Sequence, residues 1–263
     1  MSLSFLPTEL RQMIIEEVLT TPLSPPSVPS EVRDQNWSYP HKLCGHLHMG
    51  RNPEVAFNTQ EPWGSQYLSL LLANKAFRAD TEEVLKRIGR QIRPTLDVML
   101  NGDGNLRATW LLVSPPAIET EHLNVNLRTL DCMKIWGDEG STNVETKRNA
   151  NMLVGRLLHR ITSVGLNPYA KCQHSLGTRI HELRITVVAP TVTENEGTVD
   201  EKAPLAARLS EYLSMGYLGK WCQKIDAIDI FVDDRKAYAF SSAKNSFVLD
   251  WSHTWRRDSA MEE

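Results

Sequence analysis

The segment from Phe5 to Leu19 constrains the fold most, because its start, its period and its composition all predict one amphipathic helix. Pro7 suits the first helical turn, where its missing N–H costs nothing, and Glu9 favours the same turn through the helix dipole. Apolar residues then recur at every fourth position: Leu6, Leu10, Ile14 and Val18. Ile15 and Leu19 add a second apolar edge. A helix that is apolar on two sides needs two packing partners, so we expect either two parts of this chain or a second protein to cover it.

The next stretch, residues 20–66, is rich in proline. It holds seven of the chain's 14 prolines: Pro22, Pro25, Pro26, Pro29, Pro40, Pro53 and Pro62. Because proline fixes φ and lacks a donor, this composition predicts an extended insertion without a helix or an inner strand. Aromatic residues such as Phe57 indicate that parts of the insertion pack against the rest of the protein.

Helical spacing returns over residues 67–88, which predicts two helices or one bent helix. Asp80 or Thr81 is a candidate cap for a separate second helix.

Beyond Pro94 the apolar period changes to two. Residues 96–100 and 106–112 alternate on either side of a glycine- and asparagine-rich turn, which predicts a β-hairpin, and residues 123–127 predict a third strand. Polar residues occupy the intervening positions of that strand, which is typical of a sheet with one solvent-exposed face.

In the chain beyond Pro94, strands come early, helices later and strands last. A helix is expected over residues 143–164, with Arg160 on its outer side, and a strand over 183–187. Another helix is expected from residue 205, followed by strand 228–232 and a hairpin partner at 237–240. We therefore predict an α+β fold with a mostly antiparallel sheet packed with two or more helices.

Three regions follow from this order of elements. Residues 1–90 are expected to form a helical unit that contains the insertion 20–66. Residues 94–252 are expected to form the α+β domain, and residues 253–263 a tail.

Composition restricts the class of protein. The 263 residues are 41% hydrophobic and 23% charged, as in ordinary globular proteins. The formal net charge of -3 disfavours nucleic acid and anionic membranes as main partners. Four cysteines lie far apart, without a C-x-x-C pair, and no apolar run is long enough to span a bilayer. We expect an intracellular protein of the cytoplasm or nucleus, with free thiols.

One short segment concentrates possible metal donors: His41, Cys44, His46 and His48. Zinc prefers such ligands, but no second ligand pair follows at zinc-finger spacing. Polar residues of a long loop are the favoured interpretation, and metal binding by this loop stays an alternative.

Enzyme motifs are absent from the sequence. His181 and Glu182 begin an H-E-x-x-H pattern, but Ile185 stands in place of the second histidine, and the segment is predicted to be a strand. The chain contains no nucleophile elbow, P-loop or dinucleotide-binding motif. We therefore expect a non-enzymatic protein without a cofactor.

The run Leu6–Pro7–Thr8–Glu9–Leu10, followed by Ile14 and Leu19, resembles the opening of an F-box. The leucine-rich residues 70–78, which end in Phe77 and a basic residue, resemble its second half. The order of the two halves is similar to that in F-box-like proteins abundant in fungi, in which an α+β domain follows. The family's compact version joins its first two helices by a few residues, whereas here the insertion 20–66 intervenes.

The resemblance implies a substrate receptor. The helical unit would dock on the Skp adaptor of a cullin-type ubiquitin ligase, and the α+β domain would present a target protein. Leu6, Pro7, Leu10 and Ile14 would form the adaptor-facing surface, and Phe77 would take the aromatic position. The alternative is a stand-alone scaffold or binding protein in which the same helices serve only the stability of the fold.

Overall fold

One mixed sheet, flanked by helices, forms the body of the protein in the computed structural model. The structure describes residues 5–28, 31, 37–38, 55–58, 65–100, 106–113, 119–129, 144–166, 177–188, 206–207, 209–211, 213, 224–232 and 234–241. The helices are α1 (Thr8–Thr20), α2 (Ser65–Ala73), α3 (Lys75–Ile88) and α4 (Val144–Val164), with further helical residues between 206 and 213. The strands are β1 (Trp37–Ser38), β2 (Val55–Asn58), β3 (Thr95–Leu100), β4 (Leu106–Leu112), β5 (Glu119–Thr129), β6 (Arg179–Val188), β7 (Ile225–Val232) and β8 (Arg235–Ser241). The predicted α+β class is confirmed.

Strand direction differs from the prediction. The strands lie in the order β1-β2-β4-β3-β5-β6-β7-β8. The neighbours β3, β5, β6 and β7 are parallel, as are β2 and β4. Antiparallel pairing is confined to β1–β2, β3–β4 and β7–β8 among the described strands, so the prediction of a mostly antiparallel sheet is wrong. The reason is that helical crossovers separate β5, β6 and β7 in sequence, and each crossover returns the chain to the same end of the sheet.

The main core lies on the sheet face that α4 covers. The buried stripe of α4 contains Leu153, Leu157, Leu158 and Ile161. It packs in one cluster with Leu123, Leu183, Ile228 and other strand residues. Arg160, expected on the outer side of the helix, is instead buried, with its guanidinium carbon 6.0 Å from the centre of the Phe57 ring. That position is covered because β2 extends the sheet beyond β4.

Strand β2 comes from the proline-rich insertion. Val55 pairs with Leu106 and Phe57 pairs with Ala108, both in parallel register, and the Phe57 side chain is buried in the main core. The expectation that this stretch supplies no inner strand is therefore wrong for residues 55–58. The four residues of β2 contain no proline, so every residue of this strand keeps its backbone N–H.

A second core joins the helices α1 and α3 to the sheet. It consists of Ile15, Leu19, Phe77, Val84, Ile88, Ile92 and Leu112, the last of which belongs to β4. Helix α3 begins at Lys75 because the side chain of Asn74 accepts a hydrogen bond from the backbone N–H of Phe77 at 2.9 Å. Of the two alternatives left open for residues 67–88, the structure has two helices, but they meet at Asn74, and the candidate caps Asp80 and Thr81 lie inside α3. No helix in the described part of the chain has both the length and the apolar character needed to cross a bilayer.

The segment 21–28 connects α1 to the polar face of the sheet. The backbone N–H of Leu23 donates to the carbonyl of Leu111 at 2.7 Å. Arg128 on β5 donates to the carbonyl of Pro26 at 2.5 Å and pairs with both carboxylate oxygens of Asp97, at 2.7 and 2.5 Å. The Asp97 side chain is only 1% exposed. We call residues 21–28 the strap, because one arginine fixes them to two strands of the sheet.

Removing the Asp97 carboxylate should destabilise the protein strongly. In an Asp97→Ala variant, Arg128 would keep its charge in a largely buried place without a counter-ion, and such a change typically costs about 3 kcal/mol or more. Urea unfolding would measure the difference. An exposed carboxylate on α3 provides the control, since Glu83→Ala should change the free energy of unfolding by about 0.5 kcal/mol or less. Equal stability of the two variants would contradict the structural role of the Asp97–Arg128 pair.

Candidate functional site

Helix α1 carries an exposed apolar surface. Ile15 and Leu19 are 0% and 3% exposed, whereas Leu10 and Ile14 are 47% and 39% exposed. We call the exposed residues Leu10, Met13, Ile14 and Val18 the α1 apolar face. An isolated exposed leucine is ordinary in soluble proteins, but four apolar residues along one helix are a candidate contact surface.

Polar contacts fix which side of α1 faces inward. Arg11 donates to Asp80 of α3 at 2.6 Å, and this pair is largely buried. The same guanidinium donates to the carbonyl of Leu6 at 2.6 Å, so it also holds the start of the helix. Nearer the other end, Glu16 pairs with Arg87 at 2.7 Å. These contacts leave α1 little freedom to rotate and bury its apolar face.

Helix α2 shows the same division into a buried and an exposed side. Leu70 and Leu71 pack against the second core, while Leu68 and Leu72 are exposed. Since α1 and α2 are in contact with each other, both helices contribute apolar side chains to the surface of the helical unit.

The residues that the F-box resemblance selected fall into two groups. Leu10, Ile14 and Pro7 are exposed, and Leu6 is half-buried beside them on the same N-terminal segment. Phe77 is buried in the second core and packs between helices instead of facing outward. The reason is that Asn74 caps α3, so Phe77 lies in the first turn of this helix and on its buried side.

A polar groove lies over strands β5 to β8, near the ends at which β5, β6 and β7 begin. Its volume is about 650 Å³, and its charged and imidazole side chains are Glu121, His122, His181, Glu182, Asp229 and Lys236. Small residues separate them: Glu182 pairs in register with Ala227, and Ala227 with Ser241. The depression forms because these short side chains lie between longer ones. We call it the β5–β8 groove.

Both imidazoles of the groove are held by carboxylates through the same ring nitrogen. His122 Nδ1 lies 3.0 Å from Glu182 Oε2, and His181 Nδ1 lies 2.6 Å from Asp226 Oδ2. Arg179 donates to the other oxygen of Asp226 at 2.9 Å. Fixing Nδ1 orients each ring and leaves Nε2 as the nitrogen directed at other contacts.

The chemistry of the groove suits polar recognition. In the described part of the chain, no group of three or more His, Cys, Asp or Glu residues is arranged to hold a metal ion. The metal donors considered from the sequence, His41, Cys44, His46 and His48, lie outside the described residues. The groove was not predictable from the sequence, because its residues come from four strands that are distant in sequence. The only signal was the His181–Glu182 pair, which fitted no known spacing.

Substitutions on α1 should separate its two sides. Leu10→Asp together with Ile14→Asp should lower the free energy of unfolding by about 1 kcal/mol or less, because both side chains are well exposed. Ile15→Asp should lower it by about 3 kcal/mol or more, because a carboxylate would enter the apolar core. Urea unfolding of both variants measures the contrast. Strong destabilisation by the double substitution would show that the α1 apolar face is needed for the fold itself.

The Asp226 carboxylate should make stability depend on pH. Burial opposes its ionisation, but hydrogen bonds from Arg179 and His181 outweigh burial, so the pKa of Asp226 lies below its ordinary value. The resulting stabilisation is present above the unfolded-state pKa of about 4 and is lost as pH falls through the lower folded-state pKa. Asp226→Asn should therefore flatten the dependence of Tm on pH in this acidic range. An unchanged acid slope in thermal unfolding would contradict this role of Asp226.

Known proteins give no guide to either surface. No protein-family model matches the chain, and no curated protein or solved structure matches it. Function has to be inferred from the α1 apolar face and the β5–β8 groove themselves.

Proposed function

We propose that the protein is a non-enzymatic F-box-like substrate receptor. Its helical unit docks on the Skp-type adaptor of a cullin-based ubiquitin ligase, and its sheet presents a target protein. The observation that carries this proposal is the α1 apolar face, on a helix whose opposite side is already packed. The F-box-like run Leu6 to Leu10 contributes Leu10 to that face.

The packing of the helical unit supports docking in two ways. First, Ile15 and Leu19 are the residues of α1 that pack in the second core, whereas Leu10 and Ile14 are exposed. The exposed side chains are therefore not needed for internal packing. Second, burial of exposed leucine and isoleucine by a partner is worth about 1.5 to 3 kcal/mol for each fully covered side chain. A surface of this kind favours a protein partner over a small molecule.

The described part of the insertion is compatible with docking. Its described strand β2 pairs with β4 in the sheet, and the α1 apolar face stays exposed. The strap and the shared core also hold α1 firmly against β4, which suits a receptor that must keep its target at a fixed place relative to the adaptor.

The second candidate function is a stand-alone scaffold or binding protein. The contact of Leu112 with the helical core favours it, because this contact gives α1 and α3 a structural role whether or not an adaptor binds. The two candidates differ in what the α1 apolar face is for.

Co-purification tests the proposal directly. The tagged full chain should recover the Skp-type adaptor when the two are co-expressed, and Leu10→Asp with Ile14→Asp should reduce the recovered adaptor at least about tenfold, a loss of about 1.4 kcal/mol or more. The reason is that each new carboxylate would be desolvated at the interface.

Val28→Asp provides the matched control. Val28 is 43% exposed, close to the exposure of the two substituted residues, but it lies in the strap instead of the helix. This variant should recover the adaptor like the wild type. Absence of the adaptor from the pull-down of folded wild-type protein would overturn the proposal and favour the stand-alone binding protein.

A further inference from the structure

We propose that the β5–β8 groove binds a basic side chain, arginine or lysine, from an extended segment of a protein partner. This deepens the proposed function and rests on it in one respect: if the protein is a substrate receptor, that partner is its target. Recognition of the basic group itself depends only on the groove.

Shape is the first support. The groove is open and lies on a sheet, with Ala227, Ala239 and Ser241 between the longer side chains. An enclosed cavity would suit a compact small molecule. An open depression on a sheet face suits one side chain of a peptide that continues beyond it on both sides.

Charge is the second support and selects the sign of the ligand. Three carboxylates line the groove, those of Glu121, Glu182 and Asp229, against the single ammonium of Lys236. Asp229 already pairs with that ammonium at 2.7 Å. Glu182 contacts the imidazole of His122 at 3.0 Å, and with both histidines counted as neutral the lining carries three negative charges and one positive charge. This balance disfavours phosphate or carboxylate ligands and favours a cation.

The fixed imidazoles are the third support. His122 contacts one oxygen of Glu182, so this carboxylate is oriented before a ligand arrives. A carboxylate held in one orientation suits a guanidinium, whose planar fork of donors binds carboxylates in two parallel hydrogen bonds. Orienting the carboxylate in advance also lowers the entropy cost of binding.

The place of the groove in the fold is the fourth support. It lies near the start of β5, β6 and β7, whereas the helical unit contacts the sheet through Leu112 on β4 and the strap contacts Arg128 near the other end of β5. In the strand order, β3 lies between β4 and β5, the nearest strand of the groove. All the lining residues of the groove belong to β5, β6, β7 and β8, so a side chain bound there does not cover the α1 apolar face.

Fluorescence anisotropy with the full chain tests the inference. The probe is a fluorescein-labelled peptide of alternating arginine and glycine, and its control replaces arginine by citrulline, which has nearly the same shape without the charge. The arginine peptide should bind at least about tenfold more tightly than the citrulline peptide, and added salt should weaken its binding.

Three variants locate the binding site. Glu121→Gln with Glu182→Gln should weaken binding of the arginine peptide at least about tenfold. Glu9→Gln with Glu83→Gln removes the same net charge from the helical unit and should leave binding unchanged. Ser241→Arg keeps every ion pair of the groove and adds a competing cation to it, so this variant should also lose binding even if the first variant proves unstable.

Two kinds of result would overturn the inference. One is equal affinity for the arginine and citrulline peptides, or no binding of either at about 1 mM. The other is undiminished binding by Ser241→Arg.

Adaptor co-purification keeps this test separate from the proposed function. Groove variants should still recover the adaptor, and the Leu10→Asp with Ile14→Asp variant should still bind the arginine peptide.

Discussion

The packing of Ile15 and Leu19 into the core shared with α3 and β4 is the contact on which the rest of the arrangement depends. Successive residues of an α-helix point about 100° apart, so burying Ile15 turns neighbouring positions of the same helix toward solvent. The buried pair Arg11–Asp80 fixes the same rotation through a polar contact. The exposure of Leu10 and Ile14 therefore results from packing on the opposite side of α1, and this core defines the orientation of the α1 apolar face.

The sheet and the helical unit are connected by more than that core. Arg128 contacts Asp97 within the sheet and a backbone carbonyl of the strap, so one guanidinium joins β3, β5 and the chain that leaves α1. Such a largely buried ion pair contributes little net stability by itself, since desolvation offsets much of the attraction. Its main effect is geometric, because a carboxylate and a carbonyl together fix where the strap crosses the sheet.

Much of the secondary structure was predictable because it depends on local periodicity. The period-two runs became β3 to β8, and the pattern after residue 143 became α4. Strand direction was not predictable in this way, since alternation in β5 indicates only that Asn124 and Asn126 face away from the core. Parallel strands usually have both faces covered, so alternation is not their usual pattern. Here one core contains residues of α4 together with Ala206, Leu209 and Leu213.

Contacts between distant segments account for the other differences. Strand β2 is four residues long and lies among prolines, so neither length nor composition distinguished it from a loop. Once β2 is in the sheet, the burial of Arg160 over Phe57 follows. The buried position of Phe77 depends on the cap at Asn74, a single side-chain hydrogen bond. The β5–β8 groove combines residues from four strands, so no local pattern could reveal it.

The path of the chain through β2 has an evolutionary consequence. The polypeptide leaves the first helix, adds a strand to the sheet and only then returns to build the second and third helices. Helices and sheet are thus interleaved in sequence as well as joined in space. A recombination event that cut the gene between α3 and β3 would transfer β2 with the helices and deprive β4 of one of its two neighbours. A single crossover at this point therefore cannot transfer the helices without also transferring a strand of the shared sheet.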